Sequence, residues 1–303
     1  MFFNFLPMPD IAFWNKCNNK CVMCTNMPYF ARNTSDKYSL KFQIEKLERY
    51  LGGKRNIYWK NSGLADYVNL TGGEPTIHPE FFKLLAYFRR RMAKTPINLL
   101  TNGRRLADRG FLASLLKIAR PPFGFIVPVH GPGPALHDGI TGVPGSFFET
   151  MTGLENLFSM APGRDIEIRL VLHRRTVRAF RAILRRLLEK FPDTSRYAVV
   201  AIHYEIEGVS EKNHGLLALK LKDSARAIAG AIGLIAKFAD FKLYHFPLCV
   251  LSPSLRKLAR VTLPEEDRLY PAVCGSCAAR ARCLGLMLEY YKAFGGGELK
   301  ALT

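Results

Sequence analysis

The sequence predicts an α/β protein built as a partial (βα)6 barrel of the TIM type, and two observations predict it. Short apolar runs rich in β-branched residues alternate with longer stretches of helical period, the pattern of repeated strand-helix units and a parallel sheet. Six such units are visible, short of the eight that close the common barrel, so a lateral mouth is expected.

Strands are expected at Ile11–Asn15, Tyr67–Thr71, Ile97–Thr101, Phe123–Val129, Ile166–His173 and Tyr197–Glu205. Helices are expected at Leu40–Leu51, Glu80–Met92, Leu106–Ile118, Ser146–Phe158 and Val177–Phe191. Ser39 can cap the first helix, Thr76 precedes the second, and Pro79 with Glu80 suits its first turn. After Gly208 the alternation stops. A helical stretch at Asp223–Phe238 follows, then a strand-like run at Phe241–Pro247 that leads into Cys249. The expected organisation is a barrel over 1–210, a helical linker over 211–240 and a small cysteine-bearing domain over 241–303.

Across 303 residues the chain is 48% hydrophobic and 23% charged, which fits an ordinary globular protein and excludes extensive disorder. The longest apolar run, Ala227–Ala236, is far short of the roughly 20 residues a membrane span needs. The N-terminus lacks the basic and apolar regions of a secretory signal, so a reducing cytoplasm is the expected compartment and disulfides are a poor use for the thiols. The net charge of +19 favours an anionic partner or an acidic peptide. Arg174, Arg175, Arg178, Arg181, Arg185 and Arg186 interleave with apolar positions, which reads as the solvated face of an amphipathic helix rather than a nucleic-acid groove.

The seven cysteines divide into three near the N-terminus and four near the C-terminus. Cys17, Cys21 and Cys24 follow the first strand at intervals that let three thiolates wrap one face of a metal centre and leave a coordination position open. A structural zinc site would want a fourth ligand nearby. The flanking Asn15, Lys16, Asn18, Asn19 and Lys20 do not suit a core. In parallel α/β folds the functional loops follow the carboxyl ends of the strands. Here those loops carry Cys17 to Cys24, then Gly72-Gly73-Glu74-Pro75, then Asn102-Gly103, then His130-Gly131.

Cys17-Asn-Asn-Lys-Cys21-Val-Met-Cys24 resembles the cysteine motif of the radical S-adenosylmethionine enzymes. Leu70-Thr71-Gly72-Gly73-Glu74-Pro75-Thr76 resembles the loop with which that family holds the amino group of the cofactor. Glycines permit close backbone approach, a carboxylate can pair with an ammonium, and Pro75 stiffens the turn. The resemblance implies a four-iron, four-sulfur cluster on Cys17, Cys21 and Cys24, with S-adenosylmethionine completing it and yielding a 5′-deoxyadenosyl radical. Met23 departs from the family, which often has an aromatic residue there, yet a thioether can still contact adenine. Asn102 and Arg169 match positions that approach the ribose or carboxylate, and His130 is a further candidate. Asn102-Gly103 also suits a plain turn, and Arg169 also suits a pair with Glu167.

Cys249, Cys274, Cys277 and Cys283 suit tetrahedral zinc on spacing alone. The tail resembles the twitch domain, a shortened relative of the SPASM domain, which implies a second, protein-ligated four-iron, four-sulfur cluster. His137-Asp-Gly-Ile-Thr-Gly-Val-Pro-Gly-Ser-Phe-Phe-Glu-Thr and Phe246-Pro-Leu-Cys249 are loosely similar to maturases of the His-Xaa-Ser peptide system.

Three functions are therefore weighed. The first is modification of a ribosomally made peptide, with a reductant such as flavodoxin or ferredoxin. Only 16 residues precede Cys17, so a separate leader-recognition protein or a barrel surface is expected to hold a leader. The second is a small-molecule dehydrogenase or cyclase, with His203, Glu205 and Glu207 lining the pocket as acid-base groups. The third, a metal protein that binds nucleic acid without catalysis, has little use for an open three-thiol site.

Overall fold

The computed structural model describes residues 10–27, 36–52, 67–163 and 165–303. Its strands are β1 (Asp10–Trp14), β2 (Val68–Gly72), β3 (Ile97–Leu100), β4 (Phe123–Pro128), β5 (Asp165–Leu172), β6 (Ala198–His203), β7 (Asp240–Tyr244), β8 (Ala259–Arg260), β9 (Arg268–Leu269) and β10 (Leu286–Met287). The helices are α1 (Leu40–Leu51), α2 (Phe81–Arg91), α3 (Arg109–Ile118), α4 (Pro134–Thr141), α5 (Ser146–Met160), α6 (Phe180–Lys190), α7 (Gly208–Lys212), α8 (His214–Leu217), α9 (Leu221–Ala229), α10 (Ile232–Ile235) and α11 (Leu288–Phe294).

The chain forms two compact units. The first comprises Met1–Lys20, Asn26–Pro128 and Gly145–Glu167; the second comprises Cys21–Thr25, Val129–Pro144 and Ile168–Thr303. In each, parallel strand order follows chain order.

In the first unit β1 pairs with β2 in the register Ile11↔Leu70, β2 with β3 at Leu70↔Leu99, and β3 with β4 at Leu99↔Phe125. Ile11, Leu70, Leu99 and Phe125 are fully buried, the double-sided burial expected of a parallel sheet. Ser39 caps α1 as expected, its Oγ accepting from the Phe42 N–H at 3.3 Å. Gln43 on that helix donates to the carbonyls of Ala12 and Phe13. The second helix starts one residue later than expected. Glu80 lies outside helical geometry, with its N–H given to His78 Nδ1, so Pro79 stands ahead of the first turn rather than in it. Asp108 caps α3 through the Phe111 N–H, and Arg104–Ala107 ahead of it is a 3-10 turn rather than helix.

In the second unit β6 pairs with β7 at Ile202↔Tyr244, and β7 with β8 at Leu243↔Ala259. The parallel sheet thus continues beyond the six strands expected. Sequence reading stopped there because α7 to α10 are short and β8 has only two residues, which leaves no clear period. The region expected as one helix at 223–238 divides into α9 and α10 at Gly230. On α6, Phe180, Ile183, Leu184 and Leu187 are buried while Arg181, Arg185 and Arg186 are exposed, which is the amphipathic arrangement anticipated. The cysteine-bearing tail packs in this same unit, with the antiparallel pair β9–β10 among its 3-10 turns. No helix among the described residues is long and apolar enough to cross a membrane.

Candidate active site and a cysteine-lined pocket

Cys17 lies just past β1 in the first unit, and the stem before it is fixed by the loop after β2. The Gly73 N–H donates to Trp14 O at 2.7 Å and the Glu74 N–H to Lys16 O at 2.8 Å. A Cβ on Gly72, whose φ is +127°, would stand 2.2 Å from Trp14 O, and one on Gly73 would stand 2.2 Å from Lys16 O. The glycine pair is therefore required by the chain's own backbone, before any ligand is considered.

Glu74 is buried, and its carboxylate accepts four hydrogen bonds. Oε1 accepts from the Thr76 N–H at 3.1 Å, the Thr76 hydroxyl at 2.5 Å and the Thr101 hydroxyl at 2.7 Å; Oε2 accepts from the Asn102 N–H at 2.7 Å. Burial pushes its pKa up while those four donors pull it down, with burial the larger effect. The sequence reading offered this carboxylate as a partner for an ammonium. The structure gives it a role within the chain as well, as a brace between the loops after β2 and β3. Pro75 begins the 3-10 turn that Glu74 caps. Asn102 donates from Nδ2 to Asn18 Oδ1 at 2.7 Å, and its carbonyl accepts from Thr150. The Asn19 N–H in turn donates to Cys17 Sγ at 3.3 Å.

Cys21, Met23 and Cys24 belong to the second unit and are half-buried. Val22 N–H donates to Ile140 O, Ser210 N–H to Cys24 O, and Asn213 Nδ2 to Val22 O, which ties this short segment to α4, α7 and the turn after α7. His130 is buried, its main-chain N–H donates to His137 Nδ1 at 3.2 Å, and its Nδ1 has no hydrogen-bond partner. Burial, then His137 and His173, hold its pKa far below the usual histidine value. Arg169 on β5 is half-buried with its guanidinium 5.9 Å from the Tyr244 ring centre.

Sequence reasoning missed a regularity here. A histidine closes each of four successive strands: His130 after β4, His173 after β5, His203 ending β6 and His245 after β7. All four are buried. His245 is the one non-glycine residue with positive φ among the described residues, and its Nε2 lies 3.5 Å from Glu205 Oε1. Of the three groups expected to line a pocket, Glu205 and Glu207 do so, with Asp267, Met287 and Tyr290. His203 does not. It ends its strand buried, with Nδ1 2.8 Å from Ser224 Oγ.

The four distal cysteines converge. Cys249, Cys274, Cys277 and Cys283 line one cavity with Tyr270 and Arg280. Main-chain N–H groups already point at the sulfurs, Leu248 and Gly285 at Cys283 Sγ and Leu302 at Cys277 Sγ, at 3.3 to 3.4 Å. Burial, then the neighbouring thiols, raise the pKa of Cys274, whereas the N–H donors lower that of Cys277. Among the described residues no group of three or more His, Cys, Asp or Glu side chains is already arranged around a metal position. The fit to iron-sulfur chemistry rests on the donor set: thiols sharing a cavity, with amide donors directed at sulfur.

Residues 11–187, more than half of the chain, match the radical SAM superfamily. The chain belongs to that superfamily. Membership implies S-adenosylmethionine and one four-iron, four-sulfur cluster. Among curated proteins none matches. Among solved structures, native anSMEcpe with bound AdoMet and Cp18Cys peptide is 19% identical with a TM-score of 0.54, over 78% of this chain and 63% of that one. A hexahistidine-tagged anSMEcpe with bound AdoMet is 20% identical at the same TM-score of 0.54, over 78% of this chain and 61% of that one. These likenesses show that the radical SAM fold is shared, and this chain spans about three-fifths of those chains' length.

Proposed function

We propose that this chain is a radical SAM enzyme with two iron-sulfur clusters that modifies a ribosomally made peptide. The observation that carries the reading is the shared cavity of Cys249, Cys274, Cys277 and Cys283, additional to the three thiols of Cys17, Cys21 and Cys24. With both sets filled, the cofactors supply one-electron reduction of the sulfonium and a carbon-centred radical that removes a substrate hydrogen.

The protein's own share is positional. Gly72 and Gly73 seat the stem of the cysteine loop, Glu74 fixes Asn102, and Asn102 holds Asn18. The candidate S-adenosylmethionine contacts are these same Gly72, Gly73, Glu74 and Asn102, together with Met23, Pro75, His130 and Arg169. The fold shared with a peptide-bound radical SAM structure and the resemblance of residues 137–150 to His-Xaa-Ser maturases both support a peptide substrate. A flavodoxin or ferredoxin is the fitting reductant. A second reading, a small-molecule dehydrogenase or cyclase, is favoured by Glu205 and Glu207 in one cavity, where they can exchange protons with a substrate.

Anaerobic reconstitution should load about eight iron atoms per chain. Four iron atoms, or zinc in the tail, would overturn the second cluster. The reduced protein should convert S-adenosylmethionine to 5′-deoxyadenosine and methionine, and a rate no higher than that of Cys21→Ala would end the enzymatic reading.

A further inference from the structure

Arg104 opens the 3-10 turn after β3, next to Asn102 and Gly103, and it reaches back to the cysteine loop. Its Nη1 donates to the Asn18 carbonyl at 2.5 Å and to Asn19 Oδ1 at 2.9 Å. Its Nε donates to the carboxylate of Glu149 on α5. Its main-chain N–H donates to Asn102 Oδ1 at 3.1 Å, and Asn102 Nδ2 donates to Asn18 Oδ1 at 2.7 Å. Asn18 is thus held at both its carbonyl and its side chain, and Asn19 at its side chain. The Asn19 N–H, in a residue only 8% exposed, is the donor to Cys17 Sγ. Every group in this chain of contacts lies in the first compact unit.

A planar fork with several fixed donors suits this task better than a single ammonium, because one side chain satisfies a carboxylate, a carbonyl and an amide oxygen at once. Residues 15–20 have no helix or strand hydrogen bonds of their own to hold them. An amide directed at a cluster sulfur favours the reduced cluster.

We propose that Arg104 is a positioning residue for the Cys17 end of the three-cysteine loop: it fixes Asn18 and Asn19 so that the Asn19 N–H stays on the Cys17 sulfur, and so sets the potential and lability of a cluster held there. The cluster part rests on the function proposed above; the loop-fixing part concerns the chain alone.

Amide hydrogen exchange over residues 17–22 of the cofactor-free protein tests the second part directly. Arg104→Ala should exchange about tenfold faster at Asn19, the scale expected when hydrogen bonds holding an ordered loop are lost. Arg104→Lys, lacking the fork, should move the same way. Arg105→Ala, whose guanidinium lies over the Phe111 ring at 4.6 Å, should leave exchange unchanged. Glu149→Gln separates positioning from packing, since it weakens the tie to α5 and spares the Nη1 contacts. Near-wild-type protection in Glu149→Gln supports the proposal, and loss equal to that of Arg104→Ala overturns it. In the reconstituted protein, Arg104→Ala should show a more negative midpoint potential and about tenfold faster loss of iron to a chelator. Unchanged exchange in Arg104→Ala overturns the proposal outright, and unchanged potential overturns its cluster part. A wild-type protein that takes up no iron on the N-terminal loop would sink the proposed function while leaving the exchange result to stand or fall by itself.

Discussion

The main-chain N–H of Glu74 donates to the carbonyl of Lys16 at 2.8 Å, bonding the end of the glycine run to the residue before Cys17. Within the first unit the glycine loop and the stem before Cys17 are therefore one structural object. A change in the loop after β2 should be felt at Cys17 even with no cofactor bound.

Gly73→Ala follows from that contact. Its new Cβ would lie 2.2 Å from Lys16 O, a backbone atom that cannot yield without moving the stem. Urea denaturation of the cofactor-free variant should show a loss of about 2 kcal/mol or more, and iron uptake on the N-terminal thiols should fall with it.

Glu74→Gln places an amide NH2 among donors that all require an acceptor. The expected cost is about 1–3 kcal/mol, read as a lower melting temperature without cofactor. A cost seen only in the presence of S-adenosylmethionine would contradict the bracing role.

Acid should destabilise the second unit. Burial first, with neighbouring histidines or Arg175 adding to it at some positions, holds His137 and His173 at about 4, His203 at about 3 and His130 lower than its usual value. In the unfolded chain these groups take a proton near pH 6.5. Above about pH 7 both states are neutral and stability is flat. As pH falls below 6.5 the unfolded state binds protons that the folded state refuses, so stability drops until the folded values are reached. By pH 5.5 the loss should be about 1 kcal/mol per histidine. Melting of the cofactor-free protein at pH 7.5 and 5.5 checks this, and His203→Gln should shallow the slope.

Cys283→Ser removes a sulfur that accepts from two main-chain amides. Iron content should fall from about eight toward about four per chain. Cleavage of S-adenosylmethionine should remain above the Cys21→Ala background.

The strands of the barrel and the cap at Ser39 were legible because burial on both faces writes β-branched runs and because capping is local chemistry. The division of the cysteines into two sets was legible for the same reason, as the chemistry lies in spacing. What could not be read was long-range. Nothing near Arg104 in sequence points to Asn18, 86 positions away, and nothing in the glycine run says that its first neighbour is Trp14 rather than a ligand. The bracing use of Glu74 was hidden for the same reason: its bonds to Thr101 and Asn102 join residues 27 and 28 positions apart. The histidines at the ends of four strands did leave a signal, one within two residues of each strand end, but it emerges only when the strands are compared.

The tight seating of Gly72 and Gly73 has an evolutionary corollary. A descendant that lost all three N-terminal thiols, and with them any radical chemistry, would still need both glycines to bring Trp14 and Lys16 against the neighbouring loop. In such lineages the glycine pair would mark inherited architecture, and only the thiols would report whether turnover survives.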